Sequence, residues 1–129
     1  MASVRDMIAQ AEARVPTLTV EEALSRVNDS STVFVDLRDS AEVARDGKIP
    51  GALHVNRGML EFALDPASPY HEAALAGGRL LILYCASGGR SALAADTALS
   101  MGVRNVAHLR GGFKAWRAAG GPRLDGGMA

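Results

Sequence analysis

The hydrophobic pattern of this chain switches repeatedly between two periods. Short, nearly continuous apolar runs alternate with stretches whose apolar residues lie three and four apart, the marks of buried strands and of helices laid on a core. Val4, Met7, Ile8, Ala11 and Val15 share one helical face, and Pro16 ends that helix. Thr17 and Leu18 read as a short first strand, after which Thr19 and Glu22 have the spacing of a capping box ahead of Val20, Ala23, Leu24 and Val27. Val33 to Leu37 form the second strand. Asp39 and Glu42 cap a third helix that Gly47 closes, and the turn Ile49–Ala52 leads into a third strand, Leu53 to Val55. Leu80 to Tyr84 is a fourth strand of the kind buried on both faces, followed by an alanine-rich helix, Ser91 to Met101, that stops at Gly102. Asn105 to Leu109 is the fifth strand. Gly111, Gly112, Phe113, Ala115 and Trp116 open a final helix that ends near Gly120 and Pro122, with Trp116 as a core anchor.

The segment from Asn56 to Gly78 is the least regular. Arg57 to Phe62 reads as a short helix, Asp65 to Tyr70 as a turn with two prolines, and His71 to Leu75 as one more helical turn. Met59, Leu60 and Phe62 fit two roles equally, lining the mouth of a pocket or packing beneath it as core. Strands alternating with helices imply an α/β fold with a mainly parallel five-stranded sheet, helices on both faces, and the carboxyl ends of several strands at one edge. Residues 1–15 form an amino-terminal helix packed on the domain, 16–123 the domain itself, and 124–129 a glycine-rich tail expected to be flexible.

Composition narrows the function. A chain of 129 residues makes one domain, and a formal net charge of zero argues against nucleic acid or a polybasic membrane surface as partner. No apolar run is long enough for a membrane span, and Arg5, Asp6, Glu12 and Arg14 interrupt any leader-like stretch. The single cysteine excludes an internal disulfide and fits a reducing cytoplasm. His54, His71 and His108 lack metal-ligand spacing and read as structural or incidental, so no metal is expected.

That cysteine, Cys85, stands where the fourth strand hands over to a helix. A polar loop follows it, Ala86, Ser87, Gly88, Gly89 and Arg90, and Ser91 begins the helix. Unpaired N–H groups and the positive end of the helix dipole favour an anion there, hence the thiolate, which is the reactive form of cysteine. Gly88 and Gly89 permit the loop to curl with several N–H groups aimed inward, as in an anion-binding nest. Arg90 adds the loop's one fixed positive charge. Ser87 or Ser91 supplies one more hydrogen bond or simply caps the helix. Asp36 and Arg38, at the polar end of the second strand, read first as an ion-paired brace and second as a source of extra positive charge near the sulfur.

Cys85-x-x-Gly88-x-Arg90 resembles the active-site loop of the rhodanese-like sulfurtransferases. The run VDLRDSAEVARDGKIPGALHV resembles the amino-terminal signature of that family in Asp36, Arg38, Glu42, Gly47, Ile49, Pro50, Gly51 and Ala52, with Lys48 where many members have histidine. RGMLEF and DPASPY are similar to a connection found in a subset of single-domain members. LRGGFKAWRAAGGP resembles the closing signature in Gly111, Gly112, Trp116, Gly120 and Pro122. The resemblance implies a single rhodanese-like domain of thiosulfate sulfurtransferase type that needs no cofactor. In it Cys85 carries sulfur as a persulfide, taken from a small anionic donor and passed to a thiol, cyanide or a sulfur-accepting protein. Cys85 and Arg90 are then the catalytic pair and residues 86–91 the binding loop. A non-catalytic, partner-binding module is the alternative. A phosphatase or arsenate reductase of the Cdc25 type is disfavoured, because those proteins place the arginine one position further from the cysteine.

Overall fold

The computed structural model describes residues 1–125. Five strands, β1 (Thr17–Leu18), β2 (Thr32–Asp36), β3 (Leu53–His54), β4 (Leu80–Tyr84) and β5 (Val106–Leu109), form one sheet in the order β1-β5-β4-β2-β3. Every pairing between them is parallel. Among the described residues six α-helices surround it: α1 (Val4–Arg14), α2 (Val20–Leu24), α3 (Ser40–Asp46), α4 (Leu60–Leu64), α5 (Gly89–Ser100) and α6 (Gly112–Ala118). The sheet is therefore the five-stranded parallel one expected from the alternating pattern.

Side chains of successive strand residues leave opposite faces, which divides the core in two. Val33 and Val35 of β2 and Leu81 and Leu83 of β4 face α4 and the alanines Ala94, Ala95 and Ala98 of α5, with Val15 from the end of α1. Phe34, Ile82 and Tyr84 face the other way, onto Val20 and Ala23 of α2 and Phe113 and Trp116 of α6. Trp116 is fully buried, edge-on to Phe34 at 5.7 Å, and its indole N–H donates to Pro122 O at 2.7 Å. The capping boxes at Thr19/Glu22 and Asp39/Glu42 both form.

Three local readings shift. Of the apolar face of α1 only Ala11 and Val15 are buried, while Val4 and Met7 stay exposed, because the first turns of the helix extend beyond the core they were matched to. The irregular segment begins with a 3₁₀ turn at Arg57–Met59 before α4, so Leu60 points inward and is 1% exposed while Met59 and Phe62 remain on the surface. Leu124 is not part of a free tail: its N–H and C=O pair with Lys48 in an antiparallel bridge. Residues 126–129, the rest of the expected tail, lie outside the described residues.

At the carboxyl end of β2, Asp36 and Arg38 are each 1% exposed and bonded to one another through two nitrogen–oxygen contacts of 3.0 and 2.7 Å. Tyr84 O–H donates to Asp36 at 2.8 Å and accepts from the Ile49 N–H at 3.2 Å, and Arg38 also reaches Gly47 O and lies 4.3 Å over the Phe113 ring. The brace reading of this pair holds. Burial and the Asp36 charge push the Tyr84 phenol well above its ordinary pKa, so it stays a donor. Replacing Arg38 by Met strands the Asp36 carboxylate without its cation; the expected loss is about 3–5 kcal/mol in urea unfolding. A loss below about 1 kcal/mol would show that the pair does not hold this end of the sheet together.

Candidate active site

Cys85 follows the last residue of β4, and its own carbonyl begins the loop. Two hydrogen bonds fix that loop's orientation: Phe113 N–H donates to Cys85 O at 2.8 Å and Lys114 N–H to Ala86 O at 3.1 Å. Both donors belong to the first turn of α6, whose N–H groups have no intrahelical partner. The approach is possible because Gly111 and Gly112 have positive φ, and a Cβ on Gly112 would stand 2.6 Å from Cys85 O. With these two carbonyls drawn toward α6, the N–H groups of the same two peptide units, those of Ala86 and Ser87, face the other way. Among the described residues, the N–H groups of Ala86, Ser87, Gly89, Arg90 and Ser91 have no protein acceptor, and Gly88 N–H donates to Cys85 Sγ at 3.2 Å. Gly88, at φ 110°, makes the left-handed turn into α5.

Cys85 itself is 1% exposed. The loop residues around it divide by exposure: Ser87 is on the surface, Ala86, Gly89 and Arg90 are half-buried, and Ser91 is fully buried. Ser91, one of two serines singled out in the sequence, is the one brought to the sulfur. Its Oγ lies 3.6 Å from Sγ, a normal separation for the larger sulfur atom, and 3.2 Å from Gly88 O, one of two acceptors within reach of its proton. Its second neighbour is His108 Nδ1, 3.1 Å away. Of the two readings the sequence left for His108, structural or incidental, the structure favours the first: it sits at the carboxyl end of β5, fully buried, one hydroxyl away from the thiol. Strand alternation places it on the α1 and α5 side of the sheet, a placement that needs the fold.

Arg90 does not point freely into the loop. Its two terminal nitrogens bond the two oxygens of Glu42 at 2.7 and 2.9 Å, joining the start of α5 to the first turn of α3. The bonds from Arg90, ahead of the Asp39 N–H cap, hold the Glu42 carboxyl down at about 2, and the same pairing, with a smaller contribution from the nearby Cys85, raises Arg90. Glu42 was legible in the sequence as a capping residue, yet its ion pair across the loop was not. Arg38 has no comparable electrostatic connection to the sulfur; its partners are Asp36 and Tyr84. Met59 lines a surface groove with His54, Val55, Asn56, Ala63, Tyr70 and Glu72, and neither Cys85 nor any loop residue takes part in it. Among the described residues no cluster of three or more His, Cys, Asp or Glu side chains has the arrangement of a metal site, and no helix is long and apolar enough to cross a membrane.

The family model of the rhodanese-like domain matches residues 19–119. A mouse protein, thiosulfate sulfurtransferase/rhodanese-like domain-containing protein 3, is 31% identical over 104 residues, covering 77% of this chain and 66% of its own length. A sulfurtransferase of Allochromatium vinosum is 35% identical over 103 residues, covering 78% of this chain and 88% of its own. Among solved structures, a Rhodopseudomonas palustris protein of unknown function, named a possible tyrosine phosphatase, superposes with a TM-score of 0.93 at 46% identity over 96% of both chains. The polysulfide-sulfur transferase of Wolinella succinogenes shares the fold, with a TM-score of 0.71 at 24% identity over 94% of this chain and 86% of its own.

The Glu42–Arg90 bond gives a pH signature. A carboxyl held at about 2 against an ordinary 4.5 contributes stability in full above pH 4.5, and loses it as pH falls through 2. Glu42→Gln keeps the cap and removes the charge. Its expected cost is on the order of 1 kcal/mol at neutral pH, closing toward zero as both proteins are titrated to acid. Equal unfolding midpoints at pH 7 would contradict the assignment.

Proposed function

The chain belongs to the rhodanese-like domain family, and from that premise we propose that it is a sulfurtransferase working through a persulfide on Cys85. One observation carries the reading most directly: unpartnered loop amides gathered at the start of a 12-residue helix, with Gly88 N–H already on the sulfur. Such a ring favours an anion in place of each missing hydrogen bond. The short loop between Cys85 and Arg90 suits a single added sulfur atom better than a tetrahedral oxyanion.

The reaction runs in two displacements. Cys85 thiolate attacks the outer sulfur of an anionic donor such as thiosulfate. The new S–S bond forms from the thiolate's electron pair while the donor's S–S bond breaks, and sulfite departs with that pair. The outer sulfur of the persulfide keeps the negative charge and takes the loop N–H groups as hydrogen-bond donors. Cyanide, a small thiolate or a protein thiolate then attacks that sulfur, and Cys85 leaves again as thiolate. No cofactor enters either step, and a single cysteine used this way suits the reducing cytoplasm.

Arg90 contributes long-range attraction for the donor and holds the leaving sulfite with the guanidinium protons that Glu42 does not occupy. Because Glu42 offsets much of its charge, the preference for a dianionic donor is weaker than a free arginine would give. Burial of Cys85 restricts access to donors able to present a narrow sulfur terminus, which thiosulfate has and a phosphate ester does not. A phosphatase is the second reading, favoured by the description of the Rhodopseudomonas protein. The spacing of Arg90 from Cys85 and the engagement of its fork by Glu42 speak against it.

Intact-mass measurement after incubation with thiosulfate is expected to show the gain of one sulfur atom, absent in Cys85→Ser and removed by cyanide. No gain with thiosulfate, mercaptopyruvate or polysulfide would contradict the proposal, and turnover of a phosphate ester dependent on Cys85 would replace it with the second reading.

A further inference from the structure

Behind Cys85 and Ser91 stand residues of β5 and α1, and α1 precedes the segment that the family model matches. Glu12 of α1 places Oε2 3.3 Å from His108 Nε2, a contact whose alignment falls short of a hydrogen bond, so Nε2 is a buried ring nitrogen with a charged neighbour and, among the described residues, no hydrogen-bond partner. From His108 Nδ1 the path continues 3.1 Å to Ser91 Oγ and 3.6 Å to Cys85 Sγ. We propose that the amino-terminal helix acts on the nucleophile through this chain, with His108 receiving the thiol proton by way of Ser91 and Glu12 stabilising the charge that results.

The direction of the chain follows from what each group can do. A carboxylate only accepts, so the ring proton belongs on Nε2, facing Glu12, and Nδ1 is left with a lone pair. Ser91 has one hydroxyl proton and gives it to Nδ1, with Gly88 O as its competing acceptor at 3.2 Å. The oxygen's lone pairs are then free for the thiol S–H. When Cys85 ionises, its proton moves to Ser91 Oγ as the Ser91 proton moves to Nδ1. The products are a thiolate, a neutral serine and an imidazolium, and no other reactant is needed. Ser91 O–H now donates to the thiolate and accepts from Nδ1–H.

Burial lowers the His108 pKa and Arg110 lowers it further, whereas the Glu12 carboxylate raises it. The ring is therefore neutral before Cys85 ionises, as an acceptor must be, and Glu12 is the group that offsets the cost of charging it in the core. The other charge facing the sulfur is Arg90 of α5, itself held by Glu42 of α3. The attachment of α1 is built for such a role. Arg14 clasps Asp96 of α5 through both sides of its fork, and Ile8 packs so closely that a Cβ on Gly89 would lie 3.1 Å from its Cδ1.

This inference concerns the same cysteine as the proposed sulfur transfer, but its test needs no sulfur donor. His108 and Glu12 are positioning residues: neither touches the reacting sulfur. The experiment is the pH dependence of Cys85 alkylation by iodoacetamide, followed by intact mass, in the full chain and in Glu12→Gln and His108→Gln. In both variants the midpoint should rise by about one pH unit, with alkylation about tenfold slower on the acid side, while the limiting rate at high pH is unchanged. A merely structural role would lower the unfolding midpoint and leave the profile in place. If His108→Gln does not fold, Glu12→Gln decides alone, since that side chain is 40% exposed and tolerates the change. Profiles that superimpose on the parent overturn the inference. A parent that shows the profile shift in its variants yet takes no sulfur from thiosulfate leaves this inference standing and defeats the sulfurtransferase reading.

Discussion

The contact on which the site depends is between two backbones. Gly111 and Gly112 bring the first turn of α6 against the loop after β4, and the N–H groups of Phe113 and Lys114 take the carbonyl oxygens of Cys85 and Ala86. A peptide unit has its C=O and N–H on opposite sides, so anchoring the first two carbonyls determines where the N–H groups of Ala86 and Ser87 are available. Any side chain at Gly112 would collide with Cys85 O or Ala86 C, and its φ of 61° is one that other residues rarely adopt. The polarity of the loop is thus decided by a distant pair of glycines more than by the loop's own sequence.

Around that contact the layers are tied in a consistent way. Asp36, Arg38 and Tyr84 join the ends of β2 and β4 from the α6 side. Glu42 and Arg90 join α3 to α5 across the mouth of the loop. Ser91, His108 and Glu12 join α5, β5 and α1 behind the sulfur. Each tie uses a charge or polar group that burial would make costly if left alone, so each partner is held where the other needs it. Among the described residues, His108 Nε2 is the buried side-chain nitrogen left without a hydrogen bond.

Most of the architecture was legible in the chain. Continuous apolar runs at Val33–Leu37 and Leu80–Tyr84, the capping box at Asp39, and glycines at helix ends gave elements within a residue or two of those observed, while the helix capped at Thr19 stops at Leu24, short of Val27. The loop from Cys85 to Ser91 was legible as a turn from strand to helix, because Gly88 and Gly89 separate an apolar run from an alanine-rich stretch. What escaped was the set of long-range pairings. Glu42 looked like a cap because its capping contact is local, whereas its bond to Arg90 spans 48 positions. His108 read as structural or incidental because its neighbours come from α1 and α5, and no spacing along the chain encodes them. The exposure of Val4 and Met7 was hidden for a related reason: helical periodicity gives the apolar face but not how far the partner beneath it extends.

The central claim is that the loop amides, turned inward by the grip of α6 on two carbonyls, form a seat for one sulfur anion on Cys85. A crystal structure of the protein after exposure to thiosulfate tests this most directly. The account predicts one additional atom bonded to Cys85 Sγ, within hydrogen-bonding distance of at least two N–H groups from residues 86–91, with Phe113 and Lys114 still on the two carbonyls. An unmodified thiol under conditions of full donor exposure, or an added sulfur lodged among apolar side chains with the amides turned away, would contradict it.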